Sequence, residues 1–378
     1  MNMADSTNTR KNTAPLLRIV KRAEMSAGKV ALLSAVGLLA GIVVGGLFIL
    51  MLGQNPFAVY AAIAKGAFRS SLATKGVVKI AVPLLISSLG IVLAFKMKFW
   101  NIGAEGQIIM GAIFATYFGV FHGDWPKAVL LPVMFLAGIV GGGLWGAIPA
   151  FFKTRFGTNE TLLTLMLNYI ALYALIFLGE TKAEWNFLLN PESARPTFGS
   201  FASLASFPGI SIGKFNLNVC VILTFVIGVL VFIYLKYTKH GYEIAVVGDS
   251  VGTARYAGIK VNRVVLRTVF LSACLIGLAA AFKVGTAGIL STAITDDVGW
   301  TGVIVAWLAK LNTVGIFLVS ALIGVLDYGS TVAASSFSAV DSSFANMLQG
   351  VILFTVLTAD FLIRFRVVIA RKGEPAHE

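Results

Sequence analysis

The chain alternates long apolar runs with short polar breaks. A run of about 20 apolar residues crosses a bilayer core of roughly 30 Å as a helix. Such runs are predicted at 30–52, 77–95, 102–121, 128–152, 161–178, 215–235, 268–285, 314–332 and 347–363, with a shorter, weaker tenth at 298–309. Several are joined by only a few residues, as antiparallel neighbours allow. Gly37, Gly41 and Gly45 recur every fourth residue, and so do Gly138, Gly142 and Gly146. Small residues at that spacing let helix backbones approach closely, so these faces are predicted to pack inside one bundle.

Composition agrees with this pattern. Of 378 residues, 57% are hydrophobic and 12% charged, against about 25% charged in ordinary soluble domains. The fold class is therefore an all-α integral membrane protein, a polytopic bundle of about ten transmembrane helices in a lipid bilayer. A secreted disulfide scaffold, a disordered chain and a binder of nucleic acid polymers are excluded. The net charge of +13 sets topology instead. With the N-terminus inside, 21 of the 30 Lys and Arg fall on the cytoplasmic side. The positive-inside rule then places both termini in the cytoplasm of a multi-pass cell-membrane protein, and an even helix count agrees.

The chain divides into a basic cytoplasmic arm (1–29), a transmembrane region (30–365) and a cytoplasmic tail (366–378). The arm carries six basic residues and leads into an apolar run too long for a signal peptide, so the first helix is predicted to stay uncleaved. Residues 14–27 have an amphipathic look, suited to the inner membrane surface. Two longer polar segments stand out: an outer loop at 179–214 and an inner loop at 236–267. Cys220 and Cys274 lie in apolar runs and read as small hydrophobes, with no disulfide. Three histidines without ligand spacing predict no metal site. No Gly-x4-Gly-Lys-Ser/Thr or His-Glu-x-x-His pattern is present; no catalytic residue is predicted and the chain does not hydrolyse ATP itself.

Polar groups inside the apolar runs need a reason, because a charge at mid-bilayer costs at least about 2.5–3.5 kcal/mol. Glu105 sits in Asn101-Ile-Gly-Ala-Glu-Gly-Gln107. It reads either as a first-turn carboxylate in a helix capped by Asn101, or as part of a broken helix start lining a passage. Glu160, after Thr158 and Asn159, has the same local reading. Asn168 lies two turns further along and points into the bundle or across to a neighbour. Asp360 can pair with Arg364 at i+4. Asp327 is mid-span with no basic residue near it in sequence. Lys79 and Lys283 lie near outer ends and can snorkel. Asn101, Glu105, Gln107, Asn159, Glu160, Asn168 and Asp327 are the candidate pathway or gate residues.

In the inner loop, Asp249 or Ser250 can cap a helix from Val251, and Gly258 is a natural stop. The predicted helix covers 251–257. One to two turns are not stable alone, so the helix must dock on something. Asp249, Ala254, Arg255, Tyr256 and Gly258 are the candidate docking residues.

The Asn101–Gln107 segment resembles the hallmark motif of ABC importer permeases for nucleosides, relatives of the simple-sugar and branched-chain amino acid permeases. Gly157-Thr-Asn-Glu-Thr-Leu-Leu-Thr-Leu-Met-Leu-Asn-Tyr-Ile170 resembles a second block of that group, and Ala254-Arg-Tyr-Ala-Gly-Ile259 resembles its coupling-helix segment. The resemblance runs from about Val30 to Phe365. It implies a type II-like ABC importer permease fold and a transport subunit rather than an enzyme. The implied partners are a second, homologous permease, a cytoplasmic ABC ATPase that binds ATP and Mg, and an extracellular substrate-binding lipoprotein. No cofactor is implied in this chain. The implied cargo is a nucleoside, with a simple sugar or purine base as the alternative. An ion-coupled secondary transporter, with Asp327 as its carboxylate, is the alternative of another class.

Overall fold

The computed structural model describes residues 17–22, 25–201, 209–212, 215–337 and 342–369. The chain divides into two compact units, one of residues up to Met51 with those from Met347 onward, the other of Leu52–Asn346.

In the first unit, α1 (Ala27–Met51) packs on α13 (Ser342–Arg364). A side chain at Gly37 would collide with Ala359, and one at Gly41 with Ile352 and Thr355, so that glycine face is a helix seam. Strand β1 (Leu17–Lys21) pairs antiparallel with β4 (Phe365–Ile369). The described part of the amphipathic 14–27 segment is thus extended. The rest of the basic arm, the tail beyond 369 and the Arg364 side chain lie outside the described residues.

The larger unit holds the other helices. After α2 (Pro56–Phe68) come α3 (Ser71–Lys96), α4 (Ala104–Phe121), α5 (Lys127–Phe156) and α6 (Glu160–Glu180). They are followed by α7 (Val219–Tyr237), α8 (Lys239–Asp249), α9 (Val251–Tyr256), α10 (Val261–Ala287), α11 (Val298–Leu308) and α12 (Thr313–Ala333). Every predicted run corresponds to a helix, and among the described residues nine helices are long and apolar enough to cross a membrane. The core is built on α3, α4 and α10, with residues of α7, α11 and α12 buried in the same cluster and α5 packed against it. Gly138 and Gly142 of α5 face Gly277 of α10 so closely that a Cβ on any of the three would overlap the opposite backbone. This is the close approach predicted from their spacing.

Three features differ from the sequence expectation. Helix α2 was not expected; Pro56 at its first position and Asn55, whose Oδ1 accepts the Phe57 and Ala58 N–H groups, start it. The run predicted from 215 becomes a helix only at Val219. Phe215–Asn218 alternates apolar and polar, the period of a strand, and forms β3, paired with β2 (Gly209–Ile212). The tenth run is α11, 11 residues long and too short to cross alone.

Helix α11 nevertheless takes the place of a crossing. Gly302 meets Ser87, Ser88 and Ile91 of α3, and Trp307 lies against Phe95, so α11 runs parallel to α3. Helix α10 runs the opposite way, with Ser272 at Gly90 and Lys283 beside Leu84. The return from the end of α10 therefore combines the non-helical segment 289–297 with a half-length helix.

The predicted outer loop folds back as far as it is described. Asn186 Nδ2 donates to the Leu178 and Thr181 carbonyls at the end of α6, and Trp185 stacks on Phe177. Residues 202–208 and 213–214 of that loop lie outside the described residues.

Candidate functional site

Residues 97–103 break the helical path between α3 and α4 at a depth level with Ser272, midway along α10. Non-helical backbone there must be satisfied by protein, and amide side chains do it. Asn168 Nδ2 donates to the Ile102 carbonyl at 2.8 Å, while its Oδ1 accepts the Gly106 N–H at 2.9 Å. One side chain of α6 thus bonds both sides of the α4 start. Asn101 and Gln107 form a reciprocal pair: Gln107 Nε2 donates to Asn101 Oδ1 at 3.0 Å, and Asn101 Nδ2 donates to Gln107 Oε1 at 3.3 Å. Asn101 also accepts the Gly103 N–H and donates to Ser272 Oγ. It therefore works from outside the helix, and Gly103 is the residue at the cap position.

Glu105 has the longest reach. Its Oε1 accepts the N–H groups of Gly299 (2.9 Å) and Trp300 (3.2 Å), 194 and 195 residues along the chain. The carboxylate sits at the positive end of α11, a favourable place for an anion. Any side chain at Gly299 would overlap the backbone of Ala104 and Glu105. Asn101, Glu105, Gln107 and Asn168 are all buried. Four of the seven predicted pathway residues therefore meet in one knot that fixes the starts of two helices.

The other three lie elsewhere. Asn159 caps α6, its Oδ1 accepting from Thr161 and Leu162. Glu160 pairs with Lys153 of α5 at 2.7 Å. Both belong to the end of the bundle where α8 and α9 lie. Asp327 lines a cavity of about 180 Å³ together with Lys79, Lys283 and Asp296. Its basic neighbours come from α3 and α10, out of reach of sequence-local reasoning. Lys283 is tied down as well: its Nζ donates to the Thr295 carbonyl at 2.9 Å and lies 3.6 Å from Asp296.

At the α8–α9 end, the predicted short helix is α9. Ser250 caps it by accepting the Thr253 N–H at 3.2 Å, and Gly258 ends it at φ +74°, where a glycine costs least. Asp249 closes α8 instead. Helix α8 was missed within the polar inner loop. Thr238 starts it, accepting the Gly241 N–H. Glu243 fastens it to α10 through Arg267 at 2.9 Å, with His240 at 3.5 Å. The Arg267 hydrogen bond, assisted by His240, holds the Glu243 carboxyl below the usual carboxylate range. Ala254 is fully buried in an apolar cluster with Met97, Phe99, Ile244 and Val247. Tyr256, two residues on, is 96% exposed, and Arg255 is exposed beside it. A cavity of about 390 Å³ between α9 and the bundle is lined by Lys98, Lys153, Glu160, Asp249 and Arg255. Asn159 and Glu160 thus adjoin the predicted docking residues, not the buried knot.

Both features lie within a region shared with known proteins. Residues 73–357 match the family described as "Branched-chain amino acid transport system / permease component". The glucose ABC transporter permease protein TsgB13 of Haloferax volcanii is 29% identical over 350 residues, 89% of this chain and 90% of that protein. The guanosine ABC transporter permease protein NupP of Bacillus subtilis is 28% identical over 88% of this chain and 94% of its own length. The nucleoside ABC transporter permease protein NupB of Lactococcus lactis is 27% identical over 79% and 83%. With the family match spanning the knot, the α8–α9 end and all the long helices of the larger unit, this chain belongs to the branched-chain amino acid transport system permease-component family.

Proposed function

We propose that this chain is the transmembrane permease subunit of an ATP-driven ABC importer that carries nucleosides into the cell. The observation that carries the reading is α9. A helix of six residues anchored by Ala254 and exposing Arg255 and Tyr256 is built to touch something outside the bundle. A cytoplasmic ATPase is the partner that gives such contact a purpose, since this chain carries no nucleotide-binding motif. ATP and Mg then belong to that ATPase, and this chain holds no cofactor. A second, homologous permease completes the membrane part, and an extracellular lipoprotein delivers the cargo. Both termini lie in the cytoplasm; counting the 289–308 return as a crossing keeps the number even, in accord with the basic residues.

The nucleoside assignment draws on the two relatives named for guanosine and nucleoside transport. A simple sugar is the second reading, favoured by the relative named for glucose. In either case transport is alternating access: nucleotide-driven closure of the ATPase biases a bundle with two arrangements. The physical link from α9 to the mid-depth turn is short. Ala254 packs in one cluster with Met97 and Phe99, which open the 97–103 turn that carries Asn101 and leads to Glu105. An ion-coupled transporter would leave the exposed face of α9 without a role.

The test is uptake of radiolabelled uridine, adenosine and glucose by cells lacking this chain, with and without its restoration, under ATP depletion. Restored nucleoside uptake that vanishes with ATP is expected. A defect confined to glucose moves the cargo to sugars. Uptake that survives ATP depletion and collapses with the ion gradient overturns the ABC reading.

A further inference from the structure

Five non-glycine residues among those described adopt a left-handed φ: Lys98, Asp296, Asp297, Lys310 and Leu311. Such a conformation is strained for residues with a Cβ, and strain of this kind collects at switches. The five are not scattered. Asp296–Asp297 and Lys310–Leu311 bracket α11 at its two ends, and Lys98 lies in the 97–103 turn on which α11 rests. A half-length helix therefore hangs between two strained two-residue joints.

The contacts of α11 sort into three kinds. Along its length it packs on α3, with Gly302 against Ser87, Ser88 and Ile91. Toward the 97–103 turn and α4 they are close and cohesive. Glu105 accepts both N–H groups at the helix start, and Trp307 stacks on Trp100 with ring centroids 5.6 Å apart and planes 16° from parallel. Toward α10 the connection is a polar tether. Lys283 holds the entering segment by the Thr295 carbonyl and by Asp296, beside the cavity that also contains Lys79 and Asp327. The turn itself packs against α9 through Met97 and Phe99.

We propose that α11 and the 97–103 turn move as one body, pivoting on Asp296–Asp297 and Lys310–Leu311, and that this motion relays coupling-helix displacement to the opposite half of the membrane. Glu105 and Trp307 are its positioning residues, and the contacts that must break and reform are the Lys283 tether, the Asn101–Ser272 and Asn168–Ile102 hydrogen bonds and the Gly302 face on α3. This inference rests on the transport reading given above. It assigns the moving part, which that reading leaves open. A body with two arrangements can carry coupling between distant sites, and the strained joints flanking α11 are where such a body would pivot.

The test uses cells in which the native copy is replaced by a Cys220→Ala/Cys274→Ala form of the full chain, working with its own partners. Lys283→Cys and Asp296→Cys are added, and a short cleavable thiol cross-linker joins α10 to the joint. Uptake of uridine and of glucose is measured before linking, after linking and after reductive cleavage. Linking is expected to lower uptake at least about tenfold and cleavage to restore it. Uptake by the linked protein at the unlinked rate overturns the proposal. Absence of uridine and glucose uptake by the wild-type chain instead removes the transport reading, before any link is made.

A second arm decides if the double-cysteine form is inactive before linking. Asp296→Gly and Asp297→Gly relieve strain at one joint. For a moving joint, uptake falls several-fold while the thermal midpoint holds or rises, because the resting arrangement is favoured. For a static joint the midpoint rises and uptake is unchanged, which overturns the proposal.

Discussion

Asn101–Glu105 and Asn159–Glu160 look alike in sequence: an asparagine, then a glutamate, at a helix start. The structure uses them in opposite ways. Asn159 caps its own helix and Glu160 pairs with Lys153, seven residues away. Glu105 ignores its own helix and binds the start of another 194 residues on, and Asn101 bonds Ser272 across 171 residues. The first pair closes a local end. The second joins elements that are remote along the chain. The same chemistry gives a replaceable surface feature in one place and a staple in the other, and what separates them is the sequence distance of the partner and its burial.

Removing the staple has the largest expected effect. Glu105→Ala leaves the buried Gly299 N–H and the part-buried Trp300 N–H without this acceptor, at about 1–3 kcal/mol for the buried group and less for the other. Thermal unfolding of the purified complex and uridine uptake are both expected to suffer, while α9 and ATPase association stay intact. Equal loss of association would make Glu105 a general structural residue and blur the contrast. Asn101→Ala and Gln107→Ala come next, at about 1–3 kcal/mol each by the same reasoning. They share one reciprocal contact, so the double variant should cost less than the sum. A double-mutant cycle with coupling under about 0.5 kcal/mol would show that the pair does not act as a unit.

Glu243 gives a smaller, pH-dependent effect. Its carboxyl titrates below the ordinary range because Arg267 favours the charged form. A carboxylate with a depressed folded-state value adds stability above its unfolded value, about 4.3, and that contribution is lost as pH falls through the folded one. The acid side of a stability–pH curve should therefore flatten in Glu243→Gln, with neutral-to-basic behaviour changed only by a constant offset. A curve parallel to wild type below pH 4 would contradict it. Glu160→Gln is the smallest. Lys153 is 38% exposed and Glu160 12%, so solvent screens the pair from the lysine side and its worth is put near the top of the roughly 0–1 kcal/mol of exposed pairs. A loss well beyond that range would mean that Asn159–Glu160 is a staple too.

The positions of the crossings were legible in the sequence because burial in a bilayer demands long apolar runs. The extent of the inner helix was legible, because Ser250 is a start signal and Gly258 a stop signal. What escaped was set by tertiary partners. Helix α8 hides in a polar segment because its partners are tertiary: Ile244 and Val247 bury with Met97 and Phe99, and Glu243 meets Arg267, 24 residues away. The short length of α11 was legible as the run at 298–309, but its place along α3 was not. For Asn101 the sequence leaves a cap and a broken helix start both open; the choice lay with remote partners, for Gly103 occupies the cap and Asn101 reaches to Gln107 and Ser272.

On the reading proposed above, α9 connects this chain to an ATP-driven partner. Gly258→Pro addresses it most directly, since proline cannot adopt φ +74° and the turn that ends α9 is lost. ATP-dependent uridine uptake is to be measured in cells carrying this variant, alongside its abundance in the membrane. The account predicts normal abundance with uptake abolished. Normal uptake at normal abundance would contradict it.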